Sequence, residues 1–200
     1  FGNDALFAEK VVEGARHIEV QILADATGRI SHLWERDCTL QRRHQKLIEI
    51  APSPTLDPDV RDSILRSAMT LAEAAQYRGI GTFEFLLGID DSFYFMEANP
   101  RLQVEHTVTE EITGVDLVEV QLRLAMGLTL EKIGLLTPPR SSQVVLTPSL
   151  NLPGVTCHQI SSPHHIQIQA LSQLVSALNA YKIQPAGQIE TPQGRTEARG

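Results

Sequence analysis

An α+β fold, with an antiparallel sheet flanked by helices, is what this sequence predicts, on three observations. Runs of strand period recur early in the chain with turn residues between them. A later pair of β-rich runs, 82–87 and 93–99, is separated only by Gly88-Ile89-Asp90-Asp91-Ser92, the spacing of a hairpin. Two further stretches place apolar residues three or four apart, the period of an amphipathic helix.

Taken in order, residues 16–25 alternate Ile18, Val20 and Ile22 with Glu19 and Gln21, the signature of a half-buried strand. Ala26-Thr27-Gly28 supplies a turn, and 29–37 returns through Ile30, His32 and Trp34. Residues 41–50 are basic first and apolar later, and read as a third strand. Asp57-Pro58 offers an N-cap and an N1 proline for a helix running to about Tyr77, its apolar positions Val60, Ile64, Ala68, Leu71 and Ala75. Gly79 and Gly81 end it and lead into the hairpin. A polar loop follows, then a helix from Val115 to Met126 closed by Gly127.

Near residue 138 the character changes: residues 141–200 hold only Glu190 and Glu197 of the 24 acidic residues. The expected division is therefore a domain over 1–138 and an unassigned tail over 139–200, with one helical pattern at about 166–181. Partial disorder, a small divergent subdomain and unrelated sequence all stay open for that tail.

Two hundred residues with 42% hydrophobic and 20% charged content suffice for one domain with a real core. A net charge of −7 and a pI near 5.5 argue against nucleic acid or an anionic membrane as partner. Cys38 and Cys157 stand alone, so no disulfide framework or zinc ribbon is indicated and a reducing compartment is the default. No apolar run approaches the roughly 20 residues a membrane span needs, and no signal-peptide pattern opens the chain. The expected location is the cytoplasm, or the mitochondrion if the source is eukaryotic. The chain opens at Phe1 rather than Met and reads as an excised segment.

The chemistry concentrates in 93–106, where an apolar strand gives way to carboxylate, amide, guanidinium and imidazole groups. Residues two apart on a strand share a face, so Glu97 and Asn99 point the same way. A turn centred between Asp90 and Asp91 sets Glu84 directly opposite Glu97. Facing carboxylates destabilise a sheet unless something neutralises them. A hard divalent cation would, and Mg²⁺ takes one or two carboxylates together with substrate phosphates. The plain alternative is a hairpin whose charges face water; Arg101, Gln103, Glu105 and His106 shift the balance towards phosphate handling. In a second cluster, 34–46, continuous strand alternation sends Gln41, Arg43 and Gln45 one way and Arg42, His44 and Lys46 the other. His44 and Lys46 then approach an anion together, with a solvated basic edge as the alternative.

Arg16-His17-Ile18-Glu19-Val20-Gln21, Glu35-Arg36-Asp37-Cys38, Gln41-Arg42-Arg43-His44-Gln45-Lys46, Gly81-Thr82-Phe83-Glu84-Phe85 and Arg101-Leu102-Gln103-Val104-Glu105-His106 together resemble the biotin carboxylases of the ATP-grasp superfamily. The resemblance runs from about residue 3 to residue 134 and implies the later half of the ATP-grasp module, its C-terminal lobe. It implies Glu84, Glu97 and Asn99 as Mg²⁺ or Mn²⁺ ligands, with Glu84 and Glu97 thereby part of the ATP site. Glu9, Lys10 and Val12 correspond to the hinge against the adenine, and His17, Gln41 and His44 to further nucleotide contacts. Lys46, Arg101, Gln103 and the backbone of Val104 correspond to the bicarbonate pocket. Glu105 corresponds to the general base that removes the bicarbonate proton, and Arg101 to an active-site residue. Glu19 and His106 read as structural partners, and His164-His165 as surface.

The implied reaction is ATP-dependent formation of carboxyphosphate from bicarbonate, then carboxylation of biotin N1. The implied partners are a biotin carrier domain or protein and a carboxyltransferase component. The family's Rossmann-like domain, glycine-rich lid, biotin-enolate arginine and Ala-Met-Lys-Met carrier motif have no counterpart in these 200 residues. Weak or absent ATPase activity is therefore expected of the isolated chain. Acetyl-CoA, propionyl-CoA, pyruvate and urea all remain open as the parent enzyme's acceptor, with Asn99-Pro100-Arg101 and 106–111 leaning towards pyruvate. Two other readings compete. The large subunit of carbamoyl-phosphate synthetase is disfavoured by the Gln-Arg-Arg-His-Gln-Lys run, and a non-catalytic remnant packing against intact carboxylase subunits is favoured by the missing lid.

Overall fold

A computed structural model describes residues 6, 8–42, 45–141, 144–148 and 158–160. Among the described residues, seven strands form one antiparallel sheet: β1 (Arg16–Ala24), β2 (Ile30–Arg42), β3 (Gln45–Ala51), β4 (Gly79–Leu87), β5 (Phe93–Asn99), β6 (Val144–Pro148) and β7 (His158–Ile160). Their order is β5-β4-β1-β2-β3-β6-β7. Beyond residue 138, β6 pairs with the β3 edge and β7 with β6.

One face of the sheet is closed by α1 (Pro58–Ala74). Asp57 caps it, accepting from the Asp59 and Val60 amides. Ile64, Leu65, Ala68 and Ala72 bury against Ile18, Val20 and Ile22 of β1 and Phe83, Phe85 and Leu87 of β4. The helix stops short of the expected Tyr77: Ala75 is the C-cap and Gln76 turns left-handed at φ 47°. Gly81 is needed nearby, since a Cβ there would meet the Tyr77 hydroxyl at 2.0 Å.

The opposite face carries α2 (His106–Thr113) and α3 (Leu117–Ala125), with Leu117, Val120 and Leu124 packed on Leu23, Leu33 and Ile80. α3 matches the pattern read from the sequence, with Asp116 as N-cap and Gly127 left-handed after its end. α2 corrects the expected polar loop. Its Thr107, Val108, Thr109, Ile112 and Thr113 are β-branched and favour helix poorly. Burial of Val108, Thr109 and Ile112, with left-handed Gly114 at the C-cap, overrides that preference.

Residues 41–46 also differ from expectation. They are not one strand: β2 runs on to Arg42, the chain reverses, and β3 begins at Gln45. Gln41 pairs directly with Lys46, so the two share a face that simple alternation had placed on opposite sides. Arg43 and His44 lie outside the described residues, as do the 166–181 pattern and His164-His165.

Two β-bulges decide which side chains reach the α2 face. In β2, Val20 pairs with Glu35 and Ile22 with His32, so Gln21 stands against both Leu33 and Trp34. Glu35 bonds Arg61 of α1, whereas Arg36 bonds Thr109 of α2. In β5, Glu97 pairs with Glu84 but Phe95 with Phe85, leaving Met96 as the extra residue. The turn is therefore centred on Asp90, and the bulge restores the Glu84–Glu97 pairing. Phe93 and Phe95 stack on Phe85 towards α1, while Glu97 and Asn99 face away. No helix among the described residues is long and apolar enough to cross a membrane.

Candidate active site

On the α2 side of the sheet, β1, β4, β5, the β2–β3 hairpin and the loop from Arg101 to Glu105 enclose a cleft of about 610 Å³. Strand alternation sets this side of β1: His17 lines the cleft, and Glu19 and Gln21 lie buried on the same side, opposite to the side chains packed on α1.

Glu84 is the hub. Its Oε1 accepts from Lys46 Nζ (3.1 Å), Asn99 Nδ2 (3.0 Å) and Gln103 Nε2 (3.2 Å). His17 Nε2 lies 2.7 Å from Oε2. Gln41 Nε2 donates to the Cys38 carbonyl (2.9 Å) and lies 2.8 Å from His17 Nδ1. Nδ1 thus accepts, and Nε2 faces the Glu84 carboxylate. Burial alone would raise Glu84, but the hydrogen bond from His17 and the charge of Lys46 bring it down to about 2. It is a carboxylate at any physiological pH.

Lys46 Nζ is shared by three carboxylates: Glu19 Oε2 at 2.6 Å, Glu84 Oε1 at 3.1 Å and Glu105 Oε1 at 3.3 Å. Burial disfavours its charge, yet these neighbours, Glu19 foremost, push its pKa up, so the ammonium persists. Glu105 is the N-cap position of α2 but makes no capping bond, which leaves its carboxylate facing the cleft. Gln103 Oε1 is buried without a hydrogen-bond partner, an acceptor directed at no protein donor.

The cleft thus brings together His17, Gln41, Lys46, Glu84, Glu97 and Asn99 with Arg101, Gln103, Val104 and Glu105. Glu9, Lys10 and Val12 lie in the irregular segment before β1 and do not line it; Lys10 Nζ sits 5.5 Å over the Tyr94 ring. Gln45 and Met96 line the cleft without having been singled out from the sequence. Glu19 proves to be the anchor of Lys46, and only its strand neighbour, fixed by the β2 bulge, distinguishes it from a solvated glutamate. His106 stays structural: its Nδ1 lies 2.7 Å from the Gln103 carbonyl.

The donor set suits a hard divalent cation. Asn99 Nδ2 donates to Glu84 Oε1 and Glu97 Oε1, each at 3.0 Å, so one amide proton donor bridges two carboxylates that face each other. Oxygen atoms from Glu84, Glu97 and the Asn99 amide carbonyl match what Mg²⁺ or Mn²⁺ requires. A second grouping, His17, Glu19 and Glu84, also places donor atoms within 4.8 Å of one another, but Arg36 and Lys46 already occupy both Glu19 oxygens.

Behind the cleft, Glu49 is 1% exposed and its Oε1 has no partner. Burial first, then the charges of Glu105 and Glu19, push it up to about 8. Its unfolded value is near 4.5, so between these two values the folded chain binds a proton that the unfolded chain releases. Stability therefore falls as pH rises through this window. Glu49→Gln is expected to flatten that fall, raising stability at pH 9 relative to pH 5 by on the order of 3 kcal/mol in urea denaturation. Parallel pH profiles for the two proteins would refute this.

Comparison with known proteins follows the same lines. Residues 1–133 match the family described as the carbamoyl-phosphate synthase L chain, ATP binding domain. A pyruvate carboxylase of Pichia angusta is 55% identical over 136 residues, 68% of this chain and 12% of that protein. Biotin carboxylase 2 of Bacillus subtilis is 58% identical over 130 residues, 65% of this chain and 29% of that protein. Among solved structures, the biotin carboxylase domain of a single-chain bacterial carboxylase superposes with a TM-score of 0.65 at 55% identity, covering 69% of this chain and 33% of that one. The biotin carboxylase domain of Hydrogenobacter thermophilus 2-oxoglutarate carboxylase, solved with MgADP, ADP and bicarbonate, gives 0.64 at 43% identity, covering 69% and 30%. The chain spans a third or less of the length of each of these relatives. With the antiparallel lobe and its carboxylate hub in place, this chain belongs to the ATP-grasp family of carbamoyl-phosphate synthase L-chain ATP-binding domains, within its biotin carboxylase group.

Proposed function

We propose that this chain forms the later half of a biotin carboxylase site that activates bicarbonate with ATP and passes the carboxyl group to biotin on a carrier domain. The observation that carries the reading is the cleft-side trio Glu84, Glu97 and Asn99 lying beside Lys46 and the unpartnered Gln103 Oε1. A bound Mg²⁺ or Mn²⁺ would supply charge neutralisation for the nucleotide phosphates. Glu84, Glu97 and Asn99 would hold it, and His17 and Gln41 would orient the nucleotide from the β1 side.

Bicarbonate would sit between Lys46 and the Arg101 guanidinium, whose planar fork suits a planar anion. Glu105 would take its single O–H proton as a bicarbonate oxygen attacks the γ-phosphorus, with Gln103 lining the pocket beside it. ADP then leaves as carboxyphosphate forms, and the carboxyl group passes to biotin N1 with release of inorganic phosphate, which takes up the N1 proton. Positioning and electrostatics carry such phosphoryl transfer, and the cleft is built of charged groups held by other charged groups. Pyruvate is the favoured final acceptor, on Asn99-Pro100-Arg101 and 106–111, with a carboxyltransferase as the downstream partner.

Isothermal titration of the 200-residue chain with Mg-ATP tests this. Weak binding that disappears when EDTA replaces the metal is expected, with little or no ATP turnover by the isolated chain. Absence of any metal-dependent heat would overturn the reading in favour of a non-catalytic remnant.

A further inference from the structure

Directly beneath the cleft lies a charged side chain to which the chemistry above gives no part. Arg36 is fully buried. Its Nε donates to Glu19 Oε1 (2.5 Å), Nη1 to Gln21 Oε1 (2.9 Å) and Thr109 Oγ1 (2.8 Å), and Nη2 to Thr82 Oγ1 (3.1 Å). One guanidinium so joins β1, β4 and α2 to its own strand. Two of these bonds lead back to the cleft. Glu19 gives Oε1 to Arg36 and Oε2 to Lys46, at 2.6 Å. Thr109 stands at the start of α2, four residues after Glu105, whose carboxylate lies 3.3 Å from the same Lys46 ammonium.

We propose that Arg36 is a positioning residue: through Glu19 on one side and α2 on the other, it fixes the Lys46 ammonium and the Glu105 carboxylate at the separation that bicarbonate requires. This rests on the function proposed above and names what holds its anion pocket in shape. A carboxylate buried as deeply as Glu19 keeps its charge only when paired and hydrogen-bonded. Without Arg36 it has Lys46 alone as cationic partner, and its Oε1 loses the donor that fixes it. A Glu19 carboxylate no longer held from below cannot fix Lys46 at the floor of the cleft. The ammonium then moves onto Glu84 and Glu105, the groups that the metal and the bicarbonate proton need. Lysine cannot replace Arg36, since a single ammonium cannot meet four acceptors spread over two strands and a helix.

The test is steady-state, bicarbonate-dependent ATP hydrolysis by the intact protein carrying Arg36→Lys, Glu19→Gln, or both. Arg36→Lys is expected to raise KM for bicarbonate about tenfold or more while KM for ATP changes less than about threefold. Glu19→Gln should move the same constant, and the double variant should be no worse than the more damaged single one, because both act through one link. Thr109→Val, which removes one bond and keeps the side-chain shape, gives a smaller rise in the same constant and stays informative if Arg36→Lys does not fold. Equal changes in both KM values, or additive losses in the double variant, would overturn the positioning role and leave the proposed function standing. A wild-type protein with no bicarbonate-dependent hydrolysis would overturn the function, and the positioning role with it.

Discussion

Replacing Glu84 by glutamine is expected to cost the intact protein at least about 100-fold in bicarbonate-dependent ATP hydrolysis, or roughly 2.7 kcal/mol of transition-state stabilisation. Lys46, Asn99 and Gln103 all donate to Glu84 Oε1, and His17 lies against Oε2. The glutamine is isosteric but brings two donors where the carboxylate had only acceptors. At least one of the four groups must then turn away. The charge that would face a divalent cation is lost in the same step. The fold should survive, because Lys46 retains Glu19 and Glu105 as partners and the strand pairing of Glu84 is a backbone matter. Assay over a range of Mg²⁺ concentrations separates the two effects: a metal ligand shifts the Mg²⁺ dependence, whereas a spacer does not. Activity within about threefold of wild type at every Mg²⁺ concentration would remove Glu84 from the site.

Inserting one alanine between Phe95 and Met96 is expected to abolish metal-dependent nucleotide binding outright. Met96 is the extra residue in β5, and it separates a stretch whose odd-numbered side chains face α1 from one whose odd-numbered side chains face the cleft. With one residue more, a strand anchored at the Asp90 turn and keeping a single bulge sets Glu97 against Phe83 and Asn99 against Gly81, on the aromatic side with Phe85 and Phe95. Burying one unpaired carboxylate there costs several kcal/mol, so the last part of β5 should detach rather than comply. Titration with Mg-ATP and amide hydrogen exchange on β4 and β5 read the two consequences. Should binding persist at wild-type strength, the turn has absorbed the insertion and the bulge is not what orients the carboxylates. Met96→Ala, which keeps the extra residue, should retain binding in either case.

Much of this lobe is legible in the sequence for a simple reason. Ile18, Val20 and Ile22 alternate with His17, Glu19 and Gln21, and period two is a local property that any sheet with one apolar face must show. The Asp57-Pro58 start of α1 is equally local, since a cap and its amides lie within three residues. α2 is not legible this way. Its β-branched residues are poor helix formers, and only packing against Ala51 through Val108 and Ile112 makes the helix favourable. The 41–46 run misleads for a related reason. Six polar residues carry no hydrophobic register, so nothing in them marks the reversal that sets Gln41 against Lys46.

The sequence by itself determined which residue types this site contains, that Glu84 and Glu97 lie on the two arms of a hairpin, and that an apolar sheet face awaits a helix. Only the tertiary structure decided which face Arg36, Glu97 and Asn99 occupy, and that one buried guanidinium connects the cation anchor to the helix bearing Glu105. A bulge is defined by the partner strand, where one residue must oppose two. No pattern along a single strand records that mismatch, yet it reverses the orientation of every side chain beyond it.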